Sequence, residues 1–164
     1  MDTSKRIVAY HEAGHVVAAI EMCWPLAYAT ISPADGLLGK VSHGDLPLDY
    51  DPHGGAVIAL AGGIAEYTYC GDAAAVISPE GYNRRHFGDL LEATVAIVQM
   101  YQKSHPGEMP PADAGDYFKR EARDIVLRRG GAVRAIAAAL MERGTLTGDE
   151  LLTIYRDSLA QGNS

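Results

Sequence analysis

The motif His11-Glu12-Ala13-Gly14-His15 limits the fold of this chain more than any other feature. If residues 5–24 form a helix, His11 and His15 lie about one turn apart on one face, where both can reach the same metal ion. Glu12 is rotated by about 100° from His11 and lies beside that ion, where a base for a metal-activated water belongs. The motif therefore predicts a buried helix that carries a metal site.

The residues around the motif support this helix. Residues 5–24 contain no proline, residues 2–4 (Asp-Thr-Ser) offer N-cap side chains, and Pro25 ends the segment. Gly14 costs about 1 kcal/mol against alanine inside a helix, so we expect another backbone to pack closely against it. The alternative is a structural helix whose histidines only hydrogen-bond to carbonyl groups, but chance rarely produces this motif.

Composition and length suit one domain that covers residues 1–164. Apolar residues make up 48% of the chain and charged residues 21%. A net charge of −7 argues against nucleic-acid binding, because phosphates attract clustered lysine and arginine. No apolar run reaches the roughly 18 residues of a membrane span, and Cys23 and Cys70 are expected to be buried thiols of a reducing compartment. We therefore expect a cytoplasmic protein without membrane insertion.

The remaining sequence predicts a mostly α (α+β) fold. Strand-forming residues at 28–32 and 37–43, on either side of the turn Pro33–Gly36, predict one small β-hairpin. Helical periodicity and end signals predict five further helices, at about residues 52–70, 89–103, 112–129, 132–143 and 148–160.

Individual residues sharpen these helix predictions. Asp51 is the expected N-cap of the helix at 52–70, and Thr147-x-x-Glu150 predicts a capping box for the last helix. The pair Gly62–Gly63 is costly inside a helix, so we expect another helix to pack closely there. Residues 71–88 and 106–111 are predicted to be irregular.

A catalytic zinc site needs a third protein ligand and an open position for water. The spacing leaves four candidates: Glu66, His86, Asp89 and Glu92. By position alone, Asp89 is an N-cap residue, and Glu66 and Glu92 are either exposed carboxylates or acceptors that orient the ligand histidines. His86 either stabilises charge at the site or is solvated, and we expect the segment Tyr82–Arg84 to line the same cleft.

Several segments resemble the peptidase domain of the FtsH family of ATP-dependent zinc proteases. Tyr10–His15 is similar to the start of that domain, Leu60–Glu66 to its Gly-Gly-x-x-Ala-Glu helix, and Gly88–Thr94 to its Asn-Asp-Leu-x-x-Ala-Thr segment. Ala139–Glu150 resembles the family's C-terminal helix pair, so the similarity spans most of the chain. Gly88 stands where the family usually has asparagine.

The resemblance implies a helical zincin-type metalloprotease domain in which His11, His15 and Asp89 bind Zn²⁺ and Glu12 is the general base. Such a domain hydrolyses peptide bonds of unfolded proteins or peptides. We expect the extended substrate to pair with the hairpin edge near residues 38–41. The alternative hypothesis is a zinc-bearing adaptor or substrate-binding module without proteolytic activity.

The chain contains no Walker A sequence, so we expect the peptidase domain to stand alone. The family's hexameric rings imply a homo-oligomer. Members of the family couple proteolysis to ATP hydrolysis, so a separate ATPase is a candidate partner. This holds whether the protein is a peptidase or an adaptor.

Overall fold

The computed structural model of the chain describes residues 3–32, 39–45, 51–71 and 86–161. Most of these residues are helical, which confirms the predicted mostly α (α+β) fold. The helices and strands follow in the order α1 (Thr3–Glu21), β1 (Leu26–Thr30), β2 (Lys40–His43), α2 (Pro52–Cys70), α3 (Phe87–Ser104), α4 (Ala114–Arg128), α5 (Gly130–Arg143), β3 (Thr145–Thr147) and α6 (Gly148–Gln161).

Helix α1 lies at the centre of the molecule. From Ile7 to Ala19 every residue except the partly buried Tyr10 is buried, so this part of the helix is enclosed on nearly all sides. It packs against α2, α4, α5 and β1. A Cβ atom built on Gly14 would lie 2.5 Å from the Ala61 carbonyl oxygen of α2. The close backbone neighbour that the mid-helix glycine predicts is therefore present.

The end of α1 turns the chain into the sheet. The Cys23 and Trp24 N–H groups donate to the Ile20 and Ala19 carbonyl oxygens over 3.1 and 2.8 Å, which is the Schellman pattern. Cys23 adopts the left-handed conformation, with φ of 58°. This turn places the Cys23 thiol at the surface, so the prediction that it is buried is wrong. Cys23 and Cys70 are not joined in a disulfide, and Cys70 is partly buried.

The predicted hairpin belongs to a three-stranded antiparallel sheet with the order β2-β1-β3. Ala29 of β1 lies opposite Val41 of β2 on one side and Leu146 of β3 on the other. The third strand, Thr145–Thr147, is too short to show an alternating pattern in the sequence. The predicted turn and the first residues of the second predicted strand lie outside the described residues.

The five helices after α1 lie within about two residues of their predicted bounds. Asp51 caps α2 by accepting a hydrogen bond from the His53 N–H over 3.0 Å. In the predicted capping box, Glu150 accepts from the Thr147 N–H over 2.8 Å. Helix α3 begins at Phe87, so Asp89 lies in its first turn and is not its N-cap.

Helices α2, α3 and α4 form the side of the molecule next to the motif. α2 packs against α1, α3 and α4. Helix α3 is only half covered: Ala93 and Ala96 are buried, whereas Leu91 and Val95 are exposed. Within the described ranges, no helix combines the length and apolar character needed to cross a bilayer.

Candidate metal centre

The charged and histidine side chains that are buried in the described ranges all gather where α1 faces α2 and the start of α3. They are His11, Glu12, His15, Glu66 and His86. Burying such groups is costly unless they are paired or bind an ion. Their concentration at one place therefore marks a candidate functional site.

Helix α2 holds both motif histidines by their Nδ1 atoms. His11 Nδ1 lies 3.2 Å from Glu66 Oε2, and His15 Nδ1 lies 2.8 Å from the Ile58 carbonyl oxygen. Both oxygens are acceptors, so each Nδ1 carries a proton and donates it, and in the neutral rings the lone pair is on Nε2. Glu66 thus lies behind His11, where a carboxylate orients a ligand histidine.

The two Nε2 atoms converge with Asp89 Oδ2. The Nε2 atoms of His11 and His15 are 2.9 Å apart, and they lie 3.1 and 3.6 Å from Asp89 Oδ2. Ligand atoms of a tetrahedral zinc ion, with bonds of roughly 2.0–2.2 Å, are separated by roughly 3.3–3.6 Å. Asp89 Oδ2 is buried and receives no well-aligned hydrogen bond. Two of these separations, 2.9 and 3.1 Å, are shorter than the zinc spacing, so the side chains would move apart slightly to hold an ion. The three atoms still lie close enough together to share one ion, and the donor set suits Zn²⁺.

The electrostatics of the cluster favour a positive charge at that position. Burial opposes the charge on Asp89, but contacts with His11, His15 and His86 outweigh it and hold its pKa far below the usual 3.8. Burial also lowers the pKa of His11, yet contacts with Asp89 and Glu66 raise it to about 9. A bound metal ion would supply the positive charge that a proton on His11 otherwise provides.

Glu12 lies beside the converging atoms and not among them. It is buried, and burial raises the pKa of its carboxyl group, while the charges of His15 and His11 oppose this rise. A Cβ atom built on Gly39, just before β2, would lie 2.5 Å from Glu12 Oε1. The site thus has a carboxylate of raised basicity next to the sheet.

Gly62 of α2 makes room for His15. A Cβ atom at this position would overlap the imidazole ring, with Cε1 at 2.5 Å and Cδ2 at 2.8 Å. At the neighbouring Gly63, a Cβ atom would lie at the ordinary distance of 3.4 Å from His86 Nδ1. The close neighbour predicted for the Gly62–Gly63 pair is therefore the ring of a proposed ligand.

The sequence matches no family model and no curated protein. The resemblance to the FtsH peptidase domain therefore stays a prediction, and the interpretation of the site depends on its geometry.

The structure decides between the alternatives for two further candidate residues, His86 and Glu92. His86 is only 4% exposed, with Nε2 3.3 Å from Glu66 Oε2, so the solvated alternative is wrong. Glu92 is exposed on α3 and does not orient a ligand. The segment Tyr82–Arg84 lies outside the described residues.

His11, Glu66 and His86 also come close enough together to hold an ion, which makes them a rival ligand set.

Proposed function

We propose that this protein is a zinc-dependent metallopeptidase that hydrolyses unfolded polypeptides or peptides. One observation carries the proposal: α2 holds the Nδ1 atoms of His11 and His15, and both Nε2 atoms converge with Asp89 Oδ2 beside Glu12. Three protein ligands leave one position of a tetrahedral ion open, as in catalytic zinc sites. The FtsH-like, zincin-type identity of the domain is part of this proposal.

The chain's own residues supply the proton transfers and the orientation. Bound Zn²⁺ would act as a Lewis acid that polarises the peptide carbonyl and activates water. Glu12 accepts a proton from the water as the water oxygen attacks the carbonyl carbon of the substrate. Glu12 then donates that proton to the leaving amine as the C–N bond breaks. Glu66 is a positioning residue, because it orients the His11 ring.

The sheet edge favours an extended substrate. Among the described strands, β2 pairs only with β1, so its other edge can receive a peptide backbone. Gly39 lies against Glu12 and joins this edge to the site. The sequence has no nucleotide-binding loop, so hydrolysis by this chain should need no ATP. Stably folded domains should resist cleavage, because a stability of about 5–15 kcal/mol leaves few molecules unfolded.

The test compares the parent protein with Glu12→Gln and with Glu92→Gln, a matched control at an exposed position. Each zinc-loaded protein is incubated with unfolded fluorescent casein, with and without a chelator. The parent and Glu92→Gln should cleave, the chelator should stop them, and Glu12→Gln should keep its zinc but be about 10²–10⁴-fold slower. Parental rates in Glu12→Gln would refute the role of Glu12. Zinc binding without any cleavage by the parent would favour the adaptor hypothesis.

A further inference from the structure

We propose that a cleft beside the metal centre binds a carboxylate group of the substrate through Lys119 and Arg123, next to an apolar substrate side chain. This inference rests on the proposed peptidase function and specifies its substrate class. The cleft, called here the α2–α4 cleft, has a volume of about 580 Å³ and lies between α2, the start of α3 and α4. That volume is typical of a site for a small ligand or a few side chains.

The α2–α4 cleft is continuous with the metal centre, since Asp89 and His86 form part of its wall. Its other walls are largely apolar. Tyr67, Leu90 and Leu127 line it and are 68%, 47% and 51% exposed. Large apolar side chains exposed around a concave surface mark a binding site. A peptide held at Asp89 would therefore place a neighbouring side chain against these residues.

Lys119 and Arg123 add positive charge to this apolar wall. They are one turn apart on α4, and both line the cleft. In a chain with a net charge of −7, two neighbouring cations at the cleft favour an anionic group over a neutral one. The planar guanidinium group of arginine can donate two parallel hydrogen bonds to one carboxylate, so it suits this group in particular.

The existing partner of Lys119 does not prevent this role. Lys119 Nζ lies 3.3 Å from Asp116 Oδ1, and both side chains are more than half exposed. An exposed ion pair of this kind contributes little to stability. A substrate carboxylate can therefore replace Asp116 at small cost.

The carboxylate can be the C-terminus of the substrate or an acidic side chain near the scissile bond. Three labelled apolar peptides separate these sources: one with an internal glutamine and an amidated C-terminus, one with the same glutamine and a free C-terminus, and one with an internal glutamate and an amidated C-terminus. Their dissociation constants are measured by fluorescence anisotropy on zinc-loaded Glu12→Gln protein, which binds without rapid turnover.

At least one carboxylate peptide should bind roughly 3–10-fold more tightly than the neutral peptide, and high salt should reduce the difference. In the Lys119→Gln/Arg123→Gln background the difference should fall below about twofold. Arg156→Gln, on the exposed part of α6, is the matched control and should keep the difference. Leu127→Ala should weaken all three peptides alike.

Three results would overturn the inference: equal binding of all three peptides, binding of none, or a preference that survives in the double variant. Parallel cleavage assays on protein with Glu12 intact test the proposed peptidase function independently of the anion site. A carboxylate preference without hydrolysis would refute the peptidase and retain the anion site. Hydrolysis without a carboxylate preference would refute the anion site and retain the peptidase.

Discussion

Replacing Gly62 by alanine should damage the metal centre without changing any proposed ligand. In a helix, glycine to alanine alone stabilises by about 0.5–1 kcal/mol. Here the new Cβ atom would overlap the His15 ring, with Cε1 and Cδ2 at 2.5 and 2.8 Å. The ring has little room to move, because it is only 8% exposed and its Nδ1 donates to the Ile58 carbonyl oxygen over 2.8 Å.

The size of the effect follows from these contacts. Overpacking a buried site costs about 1–3 kcal/mol, and loss of the His15–Ile58 hydrogen bond adds about 1 kcal/mol. After the gain in helix propensity is subtracted, the free energy of unfolding should fall by about 1–3 kcal/mol. Disturbing the orientation of a ligand typically reduces metal affinity by about 10–100-fold, and we expect that loss for zinc.

Urea unfolding with a chelator present gives the stability change, and competition with a chromophoric chelator gives the zinc affinity. Gly63→Ala is the matched control: its Cβ atom would lie 3.4 Å from His86 Nδ1, so it should keep the zinc affinity and gain up to about 1 kcal/mol in stability. If Gly62→Ala bound zinc as tightly as Gly63→Ala and were equally stable, the placement of His15 against α2 would be wrong.

Three further predictions concern other parts of the molecule. Glu66→Ala removes the acceptor of His11 Nδ1 and should lower zinc affinity by about 10–100-fold in the same competition assay; unchanged affinity would exclude its positioning role. Burial raises the pKa of Glu21, but hydrogen bonds from Tyr155 and two arginines outweigh it and hold the pKa below 4.5. The stability that Glu21 contributes is therefore present above pH 4.5 and is lost as the pH falls through the lower folded-state pKa. Glu21→Gln should cost roughly 1–2 kcal/mol in urea unfolding at pH 7, and a loss that did not shrink in acid would contradict the assignment. Cys23 has φ of 58°, so Cys23→Gly should raise the free energy of unfolding by about 0.5–1 kcal/mol, and a decrease would show that the side chain contributes to stability.

Much of the fold could be predicted because single residues carry strong local signals. Pro25 ends the first helical segment, Asp51 caps α2, and Thr147 and Glu150 form the capping box that starts α6. These signals depend on backbone geometry within one turn, which the sequence encodes locally. The short strand β3 has no such signal, because its pairing with β1 depends on chain segments that are distant in sequence.

The candidate site was predictable only in part. The spacing of His11 and His15 shows that both can reach one ion, but it does not identify a third ligand, and only the family resemblance indicates Asp89. The carbonyl oxygen of Ile58, which holds His15, could not be predicted, because every residue has a carbonyl group and only the tertiary packing selects one. The approach of Gly39 to Glu12 could not be predicted either, because it also depends on tertiary packing.

X-ray anomalous scattering at the zinc absorption edge can locate the ion in crystals of the zinc-loaded parent protein at neutral pH. We predict one peak per chain, at roughly 2.0–2.2 Å from His11 Nε2, His15 Nε2 and Asp89 Oδ2. A peak coordinated by His11, Glu66 and His86 would contradict the proposed ligand set. The absence of any peak at saturating zinc would contradict the proposal of a metallopeptidase.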